Sequence, residues 1–255
     1  MAKQQSAVSG EGPQRSGDSQ IGRAFIGLRE MLLHGELARG ERISELPLVA
    51  RLGASRTPIR LALERLAHMG LLDVLATGGF AVRGFTPAEA RDAIELRGVL
   101  EGTAARFAAE RLSDDAELDP LRQYCRQMEA LEGLTIDTFA AYMDLNESFH
   151  AGLVDLAKSE MLRRAIAQVG SLPFASASAM VFPTSILPNA GANLVIANDH
   201  HRSIVDAIGQ RQGTRAEGIA REHAFVARRV LAAAMSDTNA LSRVPGAGLI
   251  HVSAT

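Results

Sequence analysis

A mainly α fold in two parts is predicted for this chain of 255 residues: an N-terminal winged helix-turn-helix with a small β-hairpin wing, then a C-terminal all-α helical bundle. Three observations predict it. Tryptophan is absent and aromatics make up only 4 % of the chain, so the core must be built from Leu, Ala, Ile and Val, a composition that favours helices. Nearly every apolar segment repeats at the three- and four-residue spacing of one buried helix face. The exception is a pair of short strand-like runs flanking Thr77-Gly78-Gly79, which reads as a hairpin turn.

Taken in order, residues 1–20 are polar and rich in Ser, Gly and Gln, and read as a disordered tail rather than a secretory signal. A first helix is expected from the spacing of Ile21, Phe25, Leu28, Met31 and Leu32, closed by Gly35 or Gly40. In "ERISELPLVARLG", Ser44 is cap-like, Pro47 suits a first turn and Gly53 terminates. A few residues on, "SRTPIRLALERLAHMG" opens a third helix, with Ser55 or Thr57 as cap and Gly70 as its end. Two short helices joined by a tight Gly-containing turn form a helix-turn-helix, and Val74, Phe80 and Val82 supply the wing.

Net charge is only −2, so partners must be argued from how the charge is distributed. Residues 21–84 carry nine Arg and no Lys against six acids, whereas residues 85–255 carry sixteen basic against twenty-one acidic residues. A small basic module thus precedes a larger acidic one, which points to DNA contact at the N-terminal end. Arg56 and Arg60, at i and i+4 near the start of the third helix, are placed to reach guanine edges or phosphates in a major groove, with Thr57 between them. Arg65 is a candidate backbone contact. The alternative is that these arginines only solvate a surface helix.

The run "GERISELPLVARLGASRTPIRLALERLAHMGLL", followed by the Gly-Gly wing, resembles the DNA-binding domain of GntR-family transcription regulators over residues 21–84. Two positions depart from that pattern. Leu61 stands where the family usually has Glu, which puts the orientation of Arg60 in question. Gly78 stands where the wing tip often carries a basic residue, leaving Gly79 to allow close backbone approach to DNA.

From Thr86 onward the spacing predicts helices almost throughout. A long one is capped by Thr86 with Pro87 just inside it, and others run near 114–131, 136–158 and 160–172. After a loop at 183–193, a closing pair spans about 194–210 and 214–235. Residues 236–255 are expected to form a C-terminal tail. Inside the apolar stripe of the 136–158 helix, next to Phe149 and Leu153, lie Asn146 and His150, four residues apart and therefore stacked on one face. His201 and His223 are equidistant from the turn near residue 212, so an antiparallel hairpin sets them at one height. Three imidazoles and an amide oxygen aimed inward suit a divalent transition metal such as Zn²⁺ or Ni²⁺. The alternative is that each buried histidine satisfies a hydrogen bond. Arg97 also falls inside an apolar stripe, and either binds a carboxylate or pairs with Glu101 one turn on.

The segments "ELRGVLEGTAARFAA", "NESFH", "HHRSIVDAI" and "AREHAFVARR" resemble the FCD effector domain of the FadR branch of the same family, over about residues 86–235. The resemblance implies an FCD-like helical bundle whose metal is held at the positions of Asn146, His150, His201 and His223. It also implies a small carboxylate effector met by Arg97. Asn146 stands where Asp is common, which removes a negative charge from the site. "SLPFASASAM" and the loop after it are expected to shape pocket specificity.

These readings lead to a cytoplasmic, homodimeric transcription regulator that binds double-stranded operator DNA and is not an enzyme. A lone Cys125 fits a reducing compartment, and no apolar run is long enough for a membrane span. The other readings are a metal-dependent enzyme with a DNA-binding appendage and a regulator whose His cluster is purely structural. No HExxH, phosphate-loop or GxSxG pattern supports chemistry.

Overall fold

A computed structural model describes residues 14–131, 135–183, 185–187 and 189–251. The chain divides into two compact units between Arg83 and Gly84. In the first, α1 (Gln14–Leu33) packs on α3 (Arg56–His68), with α2 (Glu45–Leu52) against α3. Leu28 and Leu32 of α1 and Ile59, Leu63 and Leu66 of α3 are buried together with Leu48, a small apolar core drawn from all three helices. Gly53 ends α2 in the left-handed region at φ 60°, where a side chain is disfavoured, and this lets α3 start three residues later. Ser44 and Ser55 both occupy N-cap positions, yet neither hydroxyl makes a capping bond.

The wing is an antiparallel pair, β1 (Leu72–Val74) and β2 (Phe80–Val82), in the register Leu72↔Val82 and Val74↔Phe80. Gly78 and Gly79 turn between them at φ 83° and 85°. A bridge between Arg42 and Ala81 ties the loop before α2 to β2.

In the second unit α4 (Pro87–Arg111) opens on a capping box between Thr86 and Glu89. There follow α5 (Asp119–Ala130), α6 (Ile136–Leu156) and α7 (Glu160–Gly170), then the closing pair α8 (Ala190–Gly209) and α9 (Gly213–Met235). Packing centres on α4, which meets α6, α7, α8 and above all α9. Two glycines allow that last approach. A Cβ on Gly98 would lie 2.5 Å from Ala224 Cβ, and one on Gly102 would lie 3.0 Å from the Glu217 carbonyl oxygen. No helix among the described residues is long and apolar enough to cross a membrane.

Three boundaries differ from expectation. The tail expected over residues 1–20 is helical from Gln14, because a helix already nucleated where Ala24, Leu28 and Leu32 pack adds further turns at little cost. Residues 1–13 lie outside the described part. The helix expected from 194 begins at Ala190. The expected C-terminal tail, residues 236–255, instead folds back as far as it is described. It forms α10 (Thr238–Leu241) and buries Ala240, Val244, Leu249 and Ile250. Phe85 donates to the Leu249 carbonyl and accepts from the His251 N–H, both at 2.7 Å, and its ring meets Phe174 edge-on at 5.0 Å. Turn-rich composition hid four apolar side chains that follow no helical period.

The α4–α9 approach makes a direct prediction. Gly98→Ala forces the helices apart, and overpacking of this kind costs about 1–3 kcal/mol. Thermal unfolding of the variant should show a clearly lowered Tm, and an unchanged Tm would contradict so close a contact.

Candidate functional site

On α6 the 3.6-residue period buries Tyr142, Asn146, Phe149, His150 and Leu153 and leaves Asp144 and Glu147 exposed. His201 of α8 and His223 of α9 arrive from the helical hairpin, flanked by buried Ile204, Val205, Ile208, Val226 and Val230. One ring nitrogen from each of His150, His201 and His223 lies within 4.8 Å of the others. The ring centroids are 4.5 Å apart for His201 and His223, 5.2 Å for His150 and His223, and 5.5 Å for His150 and His201. All three are buried, His201 completely.

Such burial is costly for imidazoles whose nitrogens lack aligned hydrogen bonds, and that is the case here. Both nitrogens of His150 and of His201, and Nδ1 of His223, make no hydrogen bond within the protein. Burial drives the imidazoles of His201 and His223 well below their ordinary pKa; His150 adds to the effect on His201, and His201 to that on His223. They are therefore held neutral, the form that coordinates metal. Asn146 donates its amide N–H to Ser178 Oγ at 3.1 Å, and Ser178 in turn donates to the Met143 carbonyl at 3.3 Å. With its nitrogen so engaged, the Asn146 oxygen is the atom left to coordinate.

The donor set fits a zinc-like ion after a small contraction. Zn–N bonds of about 2.0–2.1 Å place tetrahedral ligands roughly 3.4 Å apart, so the nitrogens must close in by at most about 1.4 Å, within reach of side-chain rotation.

Arg97 is 2 % exposed. Its Nη1 stands 3.5 Å from Glu101 Oε1, so the expected one-turn pairing is present, while its Nε has no partner. Glu101 is itself 3 % exposed, and its Oε2 lies 3.2 Å from His150 Nδ1, a hydrogen-bonding distance at which the ring is not yet aligned. Burial works to raise the Glu101 pKa, but His150 and Arg97 outweigh it and hold the carboxyl at about 2. Arg97, Asn146, Tyr142 and His223 open onto one cavity with about 60 Å³ of free volume, walled by Met180, Phe182 and Val226. The segment expected to shape the pocket thus contributes Met180 to its wall. Glu101 and Ser178 are the two site residues that sequence reasoning did not place. Glu101 was legible only as a carboxylate one turn beyond Arg97, and Ser178 only as part of the segment expected to shape the pocket. His200 stays outside the cluster, half-buried, with its ring 6.0 Å from that of His223.

In the first unit Arg56, Thr57 and Arg60 are exposed on the opening turn of α3, and Gly79 is exposed at the wing tip. Arg60 Nε lies 3.4 Å from Glu64 Oε1, so it leans along α3 where Leu61 offers no carboxylate. Arg65 stacks on Phe25, its guanidinium 4.4 Å from the ring centroid. Arg42 donates to the Gly78 carbonyl at 3.1 Å, which brings a basic side chain to a wing that has none at its own tip.

Comparison with known proteins agrees with both halves. Residues 22–82, spanning α1 to β2, match the model described as bacterial regulatory proteins, gntR family, and residues 92–225 match the FCD domain. Over 192 residues the chain is 31 % identical to the "Probable D-xylose utilization operon transcriptional repressor" of Paenarthrobacter nicotinovorans, covering 74 % of this chain and 77 % of that one. It is 35 % identical over 130 residues to the "Nta operon transcriptional regulator" of Aminobacter aminovorans, covering 51 % of this chain but only 60 % of that one. The solved structure of E. coli McbR/YncC shares the fold, with a TM-score of 0.60 at 19 % identity, over 84 % of this chain and 97 % of that one.

An unsatisfied buried polar group costs about 1–3 kcal/mol, and replacing it by an apolar group of similar shape is neutral or stabilising. With metal chelated away, His201→Leu should therefore melt at or above the wild-type temperature. A marked loss of metal-free stability would mean that His201 already has a partner.

Proposed function

This chain belongs to the gntR family of bacterial regulatory proteins, a family of DNA-binding transcription regulators, and carries an FCD domain; from that premise we propose that the helical domain senses a small organic acid through a bound divalent metal and so controls operator binding. The observation that carries the reading is the set of buried imidazoles with unpartnered nitrogens, beside a cavity that is also lined by a buried arginine. Asn146, His150, His201 and His223 would hold the ion, Zn²⁺ or Ni²⁺ by donor type. When bound, the metal supplies open coordination positions for an acid's oxygen. Arg97, with its Nε free, pairs with the acid's carboxylate.

In the DNA-binding unit, Arg56, Thr57 and Arg60 read or clamp the major groove, Arg65 touches the backbone, and Gly79 lets the wing approach closely. The chain works as a cytoplasmic homodimer on a near-palindromic operator, because two copies of one short α3 read two half-sites. The names of its relatives are those of regulators, and Asp144 and Glu147 face solvent, away from the histidines. Both features favour sensing over catalysis.

Two measurements test this. On an operator selected from random DNA, Arg60→Ala should weaken binding by about 5- to 150-fold if it makes a bidentate base contact worth about 1–3 kcal/mol. Affinity unchanged at equal salt would remove Arg60 from the interface. Short carboxylic acids titrated into the wild-type protein–operator complex should shift affinity with metal present and not after chelation. An equal shift in both conditions would detach sensing from the metal.

A further inference from the structure

The carboxylate of Glu101 is buried beside the histidine cluster. It lies one turn beyond Arg97 on α4, the helix that Gly98 and Gly102 allow closest to α9. It uses its two oxygens on two different neighbours: Oε1 stands 3.5 Å from Arg97 Nη1 and Oε2 stands 3.2 Å from His150 Nδ1. The side chains of Glu101, Arg97 and His150 are each at least 95 % buried, so no solvent screens or replaces these contacts. We propose that Glu101 is the positioning residue of the metal site: it accepts the Nδ1–H of His150, fixes the ring's tautomer and presents Nε2 as the ligand atom, while its other oxygen keeps Arg97 in the cavity wall.

The physical reasoning is general. A free imidazole exists as two tautomers, and only the one protonated at Nδ1 offers Nε2 to a metal. A carboxylate on the far nitrogen selects that tautomer, locks the ring's rotation and raises the basicity of the ligating nitrogen. Of the three clustered histidines, His150 is the one with a carboxylate oxygen at hydrogen-bonding distance among the described residues. His201 lies against Phe149 at 4.2 Å between centroids, which orients the ring by packing and supplies no acceptor. The orienting effect of Glu101 is thus confined to one ligand, and that makes it separable by experiment.

The inference rests on the metal reading above. Zinc affinity is measured on the full-length, tag-free protein by competition with a chromophoric chelator, for wild type, Glu101→Gln, His150→Ala and the double variant. Removing a partner of this kind weakens metal binding about 10- to 100-fold, and Glu101→Gln should do so. In the His150→Ala background the same change should add little, because the ring it orients is gone. If Glu101→Gln leaves zinc affinity unchanged, the proposal is wrong while the metal site stands. If it weakens binding equally in both backgrounds, Glu101 acts through general charge or folding and not through His150. Wild-type protein that takes up no zinc overturns the site and this role together. Glu101→Gln leaves a buried guanidinium without its carboxylate; should it fail to fold, Arg97→Met/Glu101→Gln, which removes both charges, takes its place against Arg97→Met with the same expectation.

Discussion

Keeping three imidazoles buried inside an apolar helix bundle is the constraint on which the second unit is organised. Water is excluded from their nitrogens, and the protein supplies almost no partners in its place. A core of Leu and Ala at these positions would be cheaper to fold, so the cost makes sense only if something else completes the cluster. Around it, helices that contribute no ligand take on the supporting work. The segment after α7 brings Ser178 to turn the Asn146 amide, and α4 runs close enough to α9 for its own charged pair to reach the cavity.

That closeness explains an otherwise odd feature of α4. A surface helix of 25 residues ordinarily segregates its charges from its buried stripe, yet α4 buries Arg97 and Glu101 beside Gly98 and Gly102. The glycines remove side-chain bulk where α9 crosses, and the charged pair occupies the stripe where the cavity begins. Neither group would be stable there alone. Side by side, each offsets much of the other's desolvation.

Much of this was legible in the sequence, because the relevant signals are periodic. Asn146 and His150 stand four apart in an apolar stripe, and His201 and His223 are equidistant from a turn, so helical geometry alone brings them together. The winged helix-turn-helix was equally readable, from Pro58 and the glycines that punctuate short elements. What escaped has no period. The individual roles of Ser178 and Met180 escaped because both sit in irregular chain, inside a segment read only as shaping the pocket. Arg42 reaches the wing from a loop, and residues 236–251 pack through single side chains such as Val244 and Ile250. Glu101 was visible as a partner for Arg97, but its second contact crosses between helices, and helix-to-helix placement is what one-dimensional spacing does not carry.

In the proposed function, one metal ion unites these imidazoles. Zinc-edge X-ray absorption of tag-free protein loaded with one equivalent of zinc addresses this without any knowledge of operator or effector. Three imidazole ligands at about 2.0–2.1 Å, completed by oxygen, are the expected shell. A shell with fewer than three imidazoles, or with sulfur from Cys125, would mean that the buried cluster is not where this protein holds a metal.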